Sequence, residues 1–166
     1  MMRELWLLRH AQAQQAVEDG SDFARPLTKR GYAATQRLRA WLQQQPLLPD
    51  KTIASPANRA FTTAYCFYAD FPAWQTAIIP DQRLYLQGVP TIKQVIAEQP
   101  ASLQRLLLVG HNPDFEELLA ELMIVNTRLT LDTATLAILT FSVDWQNLAP
   151  QKARLLAYID ADALND

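Results

Sequence analysis

Glu4-Leu-Trp-Leu-Leu8, followed at once by Arg9-His10, is the stretch whose reading decides the fold. A short apolar run cut off by charge reads as a buried strand that ends in chemically capable side chains. The pattern recurs twice. Thr52-Ile-Ala54 runs into Ser55-Pro-Ala-Asn-Arg59, and Arg105-Leu-Leu-Leu-Val109 runs into Gly110-His-Asn-Pro113. The last of these runs is continuous enough to be buried on both faces, as parallel strands are. If the three strands are parallel, their polar clusters share one edge of a sheet, where open α/β sheets bind ligands.

Helix-like segments separate the strands. Thr28 reads as an N-cap, with Ala33, Ala34, Leu38, Trp41 and Leu42 at helical spacing after it. That helix is expected to stop near Gln45, because Pro46 disfavours a helical residue before it. Ser55 as N-cap and Pro56 at the first helical position open the next helix. Trp74 to Ile79 reads as a strand and Thr91 to Gln99 as a helix. Asn112-Pro113 starts a further helix with Leu118, Leu119, Leu122 and Met123 as its apolar stripe. Ala134 to Phe141 and Ala153 to Ile159 suit an antiparallel hairpin. The alternation predicts an α/β fold: a three-layer sandwich with a mixed, mostly parallel sheet flanked by helices.

Composition bounds the rest. Hydrophobic residues make up 49% of the 166 and charged residues 19%, which is the balance of a globular chain. The length predicts one domain, residues 1–166, with a single core. A formal charge of −2 recommends neither nucleic acid nor an anionic membrane as partner. The single cysteine, Cys66, excludes an internal disulfide framework and a zinc ribbon, and in Ala64-Tyr-Cys-Phe-Tyr68 it reads as a helix core residue. The first apolar run is too short for a signal peptide or a membrane span, so a soluble, cytoplasmic protein is expected. The chain has four glycines and neither a G-x-G-x-x-G nor a P-loop, which disfavours nucleotide binding.

Both histidines of the chain, His10 and His111, therefore stand at predicted strand ends with Arg9 and Arg59. Singly, each of these residues is more often a structural or solvated side chain. Together they match the needs of phosphoryl chemistry. Arginine offers a fork of donors that fits phosphate oxygens, and two can hold the group from two sides. A neutral imidazole can attack phosphorus, and a second can donate to a non-bridging oxygen. No Asp, Glu or Cys stands at ligand spacing beside either histidine, so no metal site and no cofactor are expected. Glu116 and Glu117 read as the solvated face of their helix.

Leu8-Arg-His-Ala-Gln-Ala13, followed by Asp22-Phe-Ala-Arg-Pro-Leu-Thr28 and Gly31, resembles the histidine phosphatase superfamily, which has the phosphoglycerate mutase-like fold. More narrowly it is similar to the SixA branch of phosphohistidine phosphatases. Ser55-Pro-Ala-Asn-Arg-Ala60 with Thr63-Ala64 resembles the second block of that branch, and Gly110-His-Asn-Pro113 with Leu118 and Leu119 its third. The resemblance implies that His10 is the nucleophile and is transiently phosphorylated. It implies that Arg9 and Arg59 bind phosphoryl oxygens, that His111 completes the pocket, and that Arg25 contacts phosphate or anchors its loop. Thr28 remains better explained as a cap, and Thr63 as a helix residue facing the core.

Many members carry an acidic residue that protonates the leaving oxygen, in the segment matching Ile79 to Gly88. Asp81 is the only carboxylate there, and Leu86 stands where relatives often have Glu. An alkoxide needs a general acid to leave, whereas an imidazole, with a pKa near ~6.5, needs far less help. The expected activity is therefore metal-independent hydrolysis of phosphohistidine in a protein. One alternative is a small-molecule phosphomonoester phosphatase using Asp81 as general acid, unless Asp81 is simply a strand-end or turn residue. Another is a phosphate-binding module without turnover, which the retention of both histidines argues against. A protein substrate predicts a shallow pocket rimmed by residues 12–21 and 85–90.

Overall fold

The computed structural model describes residues 1–15, 20–125 and 127–165. A six-stranded sheet runs through the molecule in the order β3-β2-β4-β1-β5-β6. The strands are β1 (Arg3–Arg9), β2 (Lys51–Ala54), β3 (Ile79–Pro80), β4 (Arg105–Gly110), β5 (Thr135–Phe141) and β6 (Arg154–Asp160). β1, β2, β3 and β4 are mutually parallel, while β5 lies antiparallel to β1 and to β6. Pairing of Arg9 with Gly110 and of Ala54 with Val109 brings the carboxyl ends of β1, β2 and β4 level.

Strand periodicity sorts the core into two layers. Leu5 and Leu7 of β1 and Leu106 and Leu108 of β4 face one side. There they pack with Ile92, Val95 and Ile96 of α4 (Val89–Ala97) and with Phe115, Leu118 and Leu122 of α5 (Asp114–Leu122). Trp6, Leu8, Leu107 and Val109 face the other side. Their partners are Ala34, Leu38 and Leu42 of α1 (Lys29–Gln43) and Ala60, Ala64 and Phe67 of α2 (Asn58–Phe67). Leu7 and Leu108 are 0% exposed, so truncating either to alanine costs about 2–5 kcal/mol of stability.

Three segments differ from the sequence reading. The stretch Trp74 to Ile79 is not a strand: Pro72–Gln75 forms a short helix, α3, and only Ile79–Pro80 pairs with β2. Pro72 at the start of α3 supplies a helical φ, and the β-prone residues after it are spent on the turn out of that helix. The second helix begins at Asn58 after Ala57, so Ser55 is not its N-cap and Pro56 is not its first helical residue. The segment read as 91–99 starts earlier, at Val89 behind Gly88, and ends at Ala97.

The N-terminus of α1 is as expected, with Thr28 Oγ1 accepting from Gly31 N–H at 3.0 Å. The same Thr28 donates from Oγ1 to Gln12 Oε1 at 2.8 Å, and its N–H donates to the Gln12 carbonyl at 3.0 Å. This tie seats the helix against the loop leaving β1. Gly31 makes the approach possible: a Cβ built there would lie 2.2 Å from the Gln12 carbonyl oxygen. Among the described residues no helix is long and apolar enough to cross a membrane.

Candidate active site

A polar cleft of ≈ 380 Å³ opens at the carboxyl ends of β1, β2 and β4. Arg9, His10, Arg25, Arg59 and His111 all line it, so the structure gathers every arginine and histidine the sequence singled out. Asp81 is not among its walls. His10 and His111 are buried side by side, with ring centroids 5.2 Å apart.

A hydrogen bond to a carbonyl fixes the tautomer of His10, and a hydroxyl holds His111. His10 Nδ1 lies 2.7 Å from the Ala11 carbonyl oxygen. A carbonyl can only accept, so Nδ1 carries the proton and Nε2 keeps its lone pair. The Ala11 N–H donates to Thr63 Oγ1 at 2.9 Å, and Thr63 in turn donates to the Arg59 carbonyl at 2.7 Å. Thr63 is therefore more than a core-facing residue: it ties the loop behind His10 to α2. Ser55 Oγ accepts from Ala57 N–H at 3.2 Å and lies 2.8 Å from His111 Nε2. His111 Nδ1 is buried and has no partner.

Burial pushes the His10 imidazole down to about 4, and the charges of Arg59, Arg9 and Arg25 push in the same direction. Burial likewise takes His111 down to about 3, with His10 and the arginines adding to it. Both rings are thus neutral near pH 7, a state that the guanidinium groups beside them favour.

The arginines are held from behind. Arg9 Nη1 donates to the Leu131 carbonyl at 2.8 Å, on the loop before β5. Arg59 Nη1 donates to the Asp22 carbonyl at 2.8 Å and Nη2 to Asp22 Oδ2 at 3.1 Å. In both residues Nε is buried without a partner. Arg9 Nε, Arg59 Nε and His111 Nδ1 are three unsatisfied buried nitrogens on residues of one cleft.

Several residues of the site were missed or misplaced by the sequence reading. Ser55 serves His111 instead of capping α2. Glu116 does not belong to a solvated face: it is half-buried, pairs with the Asn112 amide and stabilises the charge on Arg9. Asn112 and Thr133 line the cleft, and the Asn112 amide also donates to the Leu131 carbonyl at 2.8 Å. The Asn at position 112 carried a signal, since it directly follows His111. Thr133 carried none, because it comes from a loop more than a hundred residues away in the chain. Of the expected rim, residues 16–19 lie outside the described residues. Gln12, Ala13 and Gln15 do line the cleft.

Arg25 is part of the cleft wall, but its Nη1 donates to Asp22 Oδ1 at 2.7 Å and its Nε to the Gln14 carbonyl at 2.6 Å. These contacts anchor its loop. Asp81 caps the turn Gln82–Leu84, accepting from Arg83 N–H at 2.9 Å and from Arg83 Nη2 at 2.8 Å. The Arg83 guanidinium holds the Asp81 carboxyl below its ordinary range, the opposite of what a general acid needs. Leu86 sits exposed at φ 56°. Cys66 is half-buried and burial raises its thiol pKa, so it behaves as the packing residue expected.

The cleft thus sets two neutral imidazoles beside two guanidinium groups at the carboxyl edge of a mixed α/β sheet. Residues 5–85 match the model of the histidine phosphatase superfamily, branch 1. The match spans just under half of the chain, which over that part is similar to the superfamily. More narrowly the chain is similar to SixA-type proteins. A chain assigned as phosphohistidine phosphatase SixA from Nakamurella multipartitia is 26% identical, with 96% of each chain covered and a TM-score of 0.83. One from Agrobacterium tumefaciens, assigned likewise, is 27% identical over 95% of this chain and 97% of that one, with a TM-score of 0.79. The protein histidine phosphatase SixA complexed with tungstate shares the fold at 20% identity, with 96% and 97% of the chains covered and a TM-score of 0.80. No curated protein sequence matches this chain significantly.

Proposed function

We propose that the chain is a metal-independent phosphohistidine phosphatase that removes a phosphoryl group from histidine in a protein. The observation that carries this reading is one cleft that brings His10, whose Nε2 keeps a free lone pair, together with Arg9, Arg59 and His111. His10 Nε2 attacks phosphorus, and the P–N bond breaks with its electron pair going to the substrate ring, which carries a proton on its other nitrogen and so leaves as neutral imidazole. Arg9 and Arg59 hold the non-bridging oxygens, and the His111 ring donates to the charge that develops there. Water then attacks the phosphohistidine on His10, the P–Nε2 bond breaks, and inorganic phosphate leaves. Arg25 anchors the loop and adds positive charge.

The preference for phosphohistidine follows from the leaving group. Asp81, the one carboxylate of its segment, is committed to Arg83 and points to no role at the cleft. An imidazole leaves without strong acid help, and an alkoxide does not. The open, polar cleft suits a side chain presented by a folded partner.

Turnover of a phosphohistidine protein and of p-nitrophenyl phosphate, with acid-labile label on the enzyme mapped, tests the proposal. Label on His10, its loss with all turnover in His10→Ala, and faster cleavage of the phosphohistidine substrate are expected. Ester preference, lost on Asp81→Asn, would move the activity to small phosphomonoesters. Full inhibition by a chelator would overturn metal independence.

A further inference from the structure

Asp22 plays no part in the chemistry above, yet it is the most heavily engaged carboxylate at the site. Its Oδ2 accepts from Arg59 Nη2 at 3.1 Å and from the Tyr85 hydroxyl at 2.6 Å, and its Oδ1 accepts from Arg25 Nη1 at 2.7 Å. Its backbone carbonyl takes Arg59 Nη1 at 2.8 Å. The neighbouring residues fasten the same loop. Phe23 packs edge-on to Tyr85 with centroids 5.2 Å apart, the Phe23 carbonyl accepts from Asn58 N–H at 2.9 Å, and the Asn58 amide donates to the Ala24 carbonyl at 3.1 Å. Tyr85 itself lies against His111, at 5.4 Å between centroids, and against the Arg59 guanidinium at 5.9 Å.

A guanidinium has two forks. One is its end, formed by Nη1 and Nη2; the other is its side, formed by Nε and Nη2. Asp22 occupies the end fork of Arg59 with two oxygens. The side fork keeps Nε–H, which is buried in a residue only 4% exposed and has no partner. Each terminal nitrogen carries a second hydrogen that Asp22 does not take, and Arg59 lines the cleft. The carboxylate and a ligand can thus use different hydrogens of one guanidinium. We infer that Asp22, braced by Tyr85, is a positioning residue that fixes the Arg59 guanidinium at the wall of the cleft, ready for the phosphoryl group.

The inference deepens the proposed function and rests on the placing of Arg59 at the phosphoryl group. Repulsion between Asp22 and a bound dianion runs against it, but this carboxylate is nearly half exposed, so water and salt screen it. An arginine that must be ordered at each binding event loses the advantage of a prepared fork. Positioning outweighs repulsion here.

Inorganic phosphate binding, measured by calorimetry on the full chain, reads this without any need for turnover. Asp22→Ala is expected to weaken phosphate about tenfold and to lower kcat with the phosphohistidine substrate by at least as much. Asp22→Asn, which keeps an oxygen for one of the donors, is expected to fall between. In an Arg59→Ala background, Asp22→Ala should change phosphate affinity less than twofold, because coupled residues are not additive. Equal or tighter phosphate binding by Asp22→Ala, or a full tenfold loss that persists in Arg59→Ala, would overturn the inference. Loss of phosphate affinity in Asp22→Ala together with a wild type that turns over no phosphohistidine would leave the positioning role standing and remove the proposed substrate.

Discussion

The parallel and antiparallel parts of the sheet end at the same cleft and bring different things to it. β1, β2 and β4 end there, and each hands over side chains: Arg9 and His10, Ser55 and Arg59, His111 and Asn112. β5 runs the other way, so it starts where they stop. The loop feeding it contributes the Leu131 carbonyl behind Arg9 and the Thr133 side chain, and the Ala134 N–H donates to the His10 carbonyl at 3.0 Å. Chemistry comes from strands that arrive, and support comes from the strand that departs. The reason is local. A chain leaving a parallel strand must turn into a helix, and that turn is where side chains and free backbone donors project.

The largest effects should therefore fall on the parallel side. Arg59→Ala and His111→Ala are each expected to lower kcat by about two to three decades, as the loss of one main electrostatic donor does. Steady-state rates with the phosphohistidine substrate check this. An effect of a few-fold only would mean that the two sides of the sheet contribute alike. Ser55→Ala should cost about tenfold, since it removes the one hydrogen bond that holds the His111 ring. Restoration by Ser55→Thr would sharpen the assignment to the hydroxyl.

Acid should act through the same two rings. In the unfolded chain a histidine titrates near ~6.5, while folded His10 and His111 are held at about 4 and about 3. Between those values the unfolded state binds more protons, so stability rises with pH. The melting temperature should accordingly fall as pH drops from 6.5 towards 4. Since the chain has only these two histidines, His10→Ala should flatten the slope between pH 5 and 6.5. At the small end, Thr133→Ala on the antiparallel side should change kcat by about twofold or less. A loss of a decade there would break the distinction between arriving and departing strands.

Sequence made this division partly legible. Short apolar runs ending in charge gave β1, β2 and β4, because burial on both faces leaves a continuous apolar pattern with an abrupt stop. Arg9, His10, Arg59 and His111 were visible because each follows such a stop within five residues. Trp74 to Ile79 misled because β-prone residues followed a helix-starting proline, and local propensity cannot tell a strand from the exit of a short helix. Ser55 was read correctly as a hydroxyl beside a helix start but given the wrong partner, since His111 comes to it only through the pairing of β2 with β4. Glu116 sits at a helix position that looks outward until the Leu131 loop folds over Asn112 beside it.

Gly31 sets a boundary for anyone who would move this pocket to another scaffold. The residues that handle phosphate are few and could be grafted as a group. The loop that carries His10 onward, however, keeps its course because a helix presses on the Gln12 carbonyl at a point where even a methyl group would intrude. A transplant without that helix start would leave the loop unsupported, and one with alanine at position 31 would push it aside. The smallest portable unit is therefore the pocket together with one glycine that never meets the substrate.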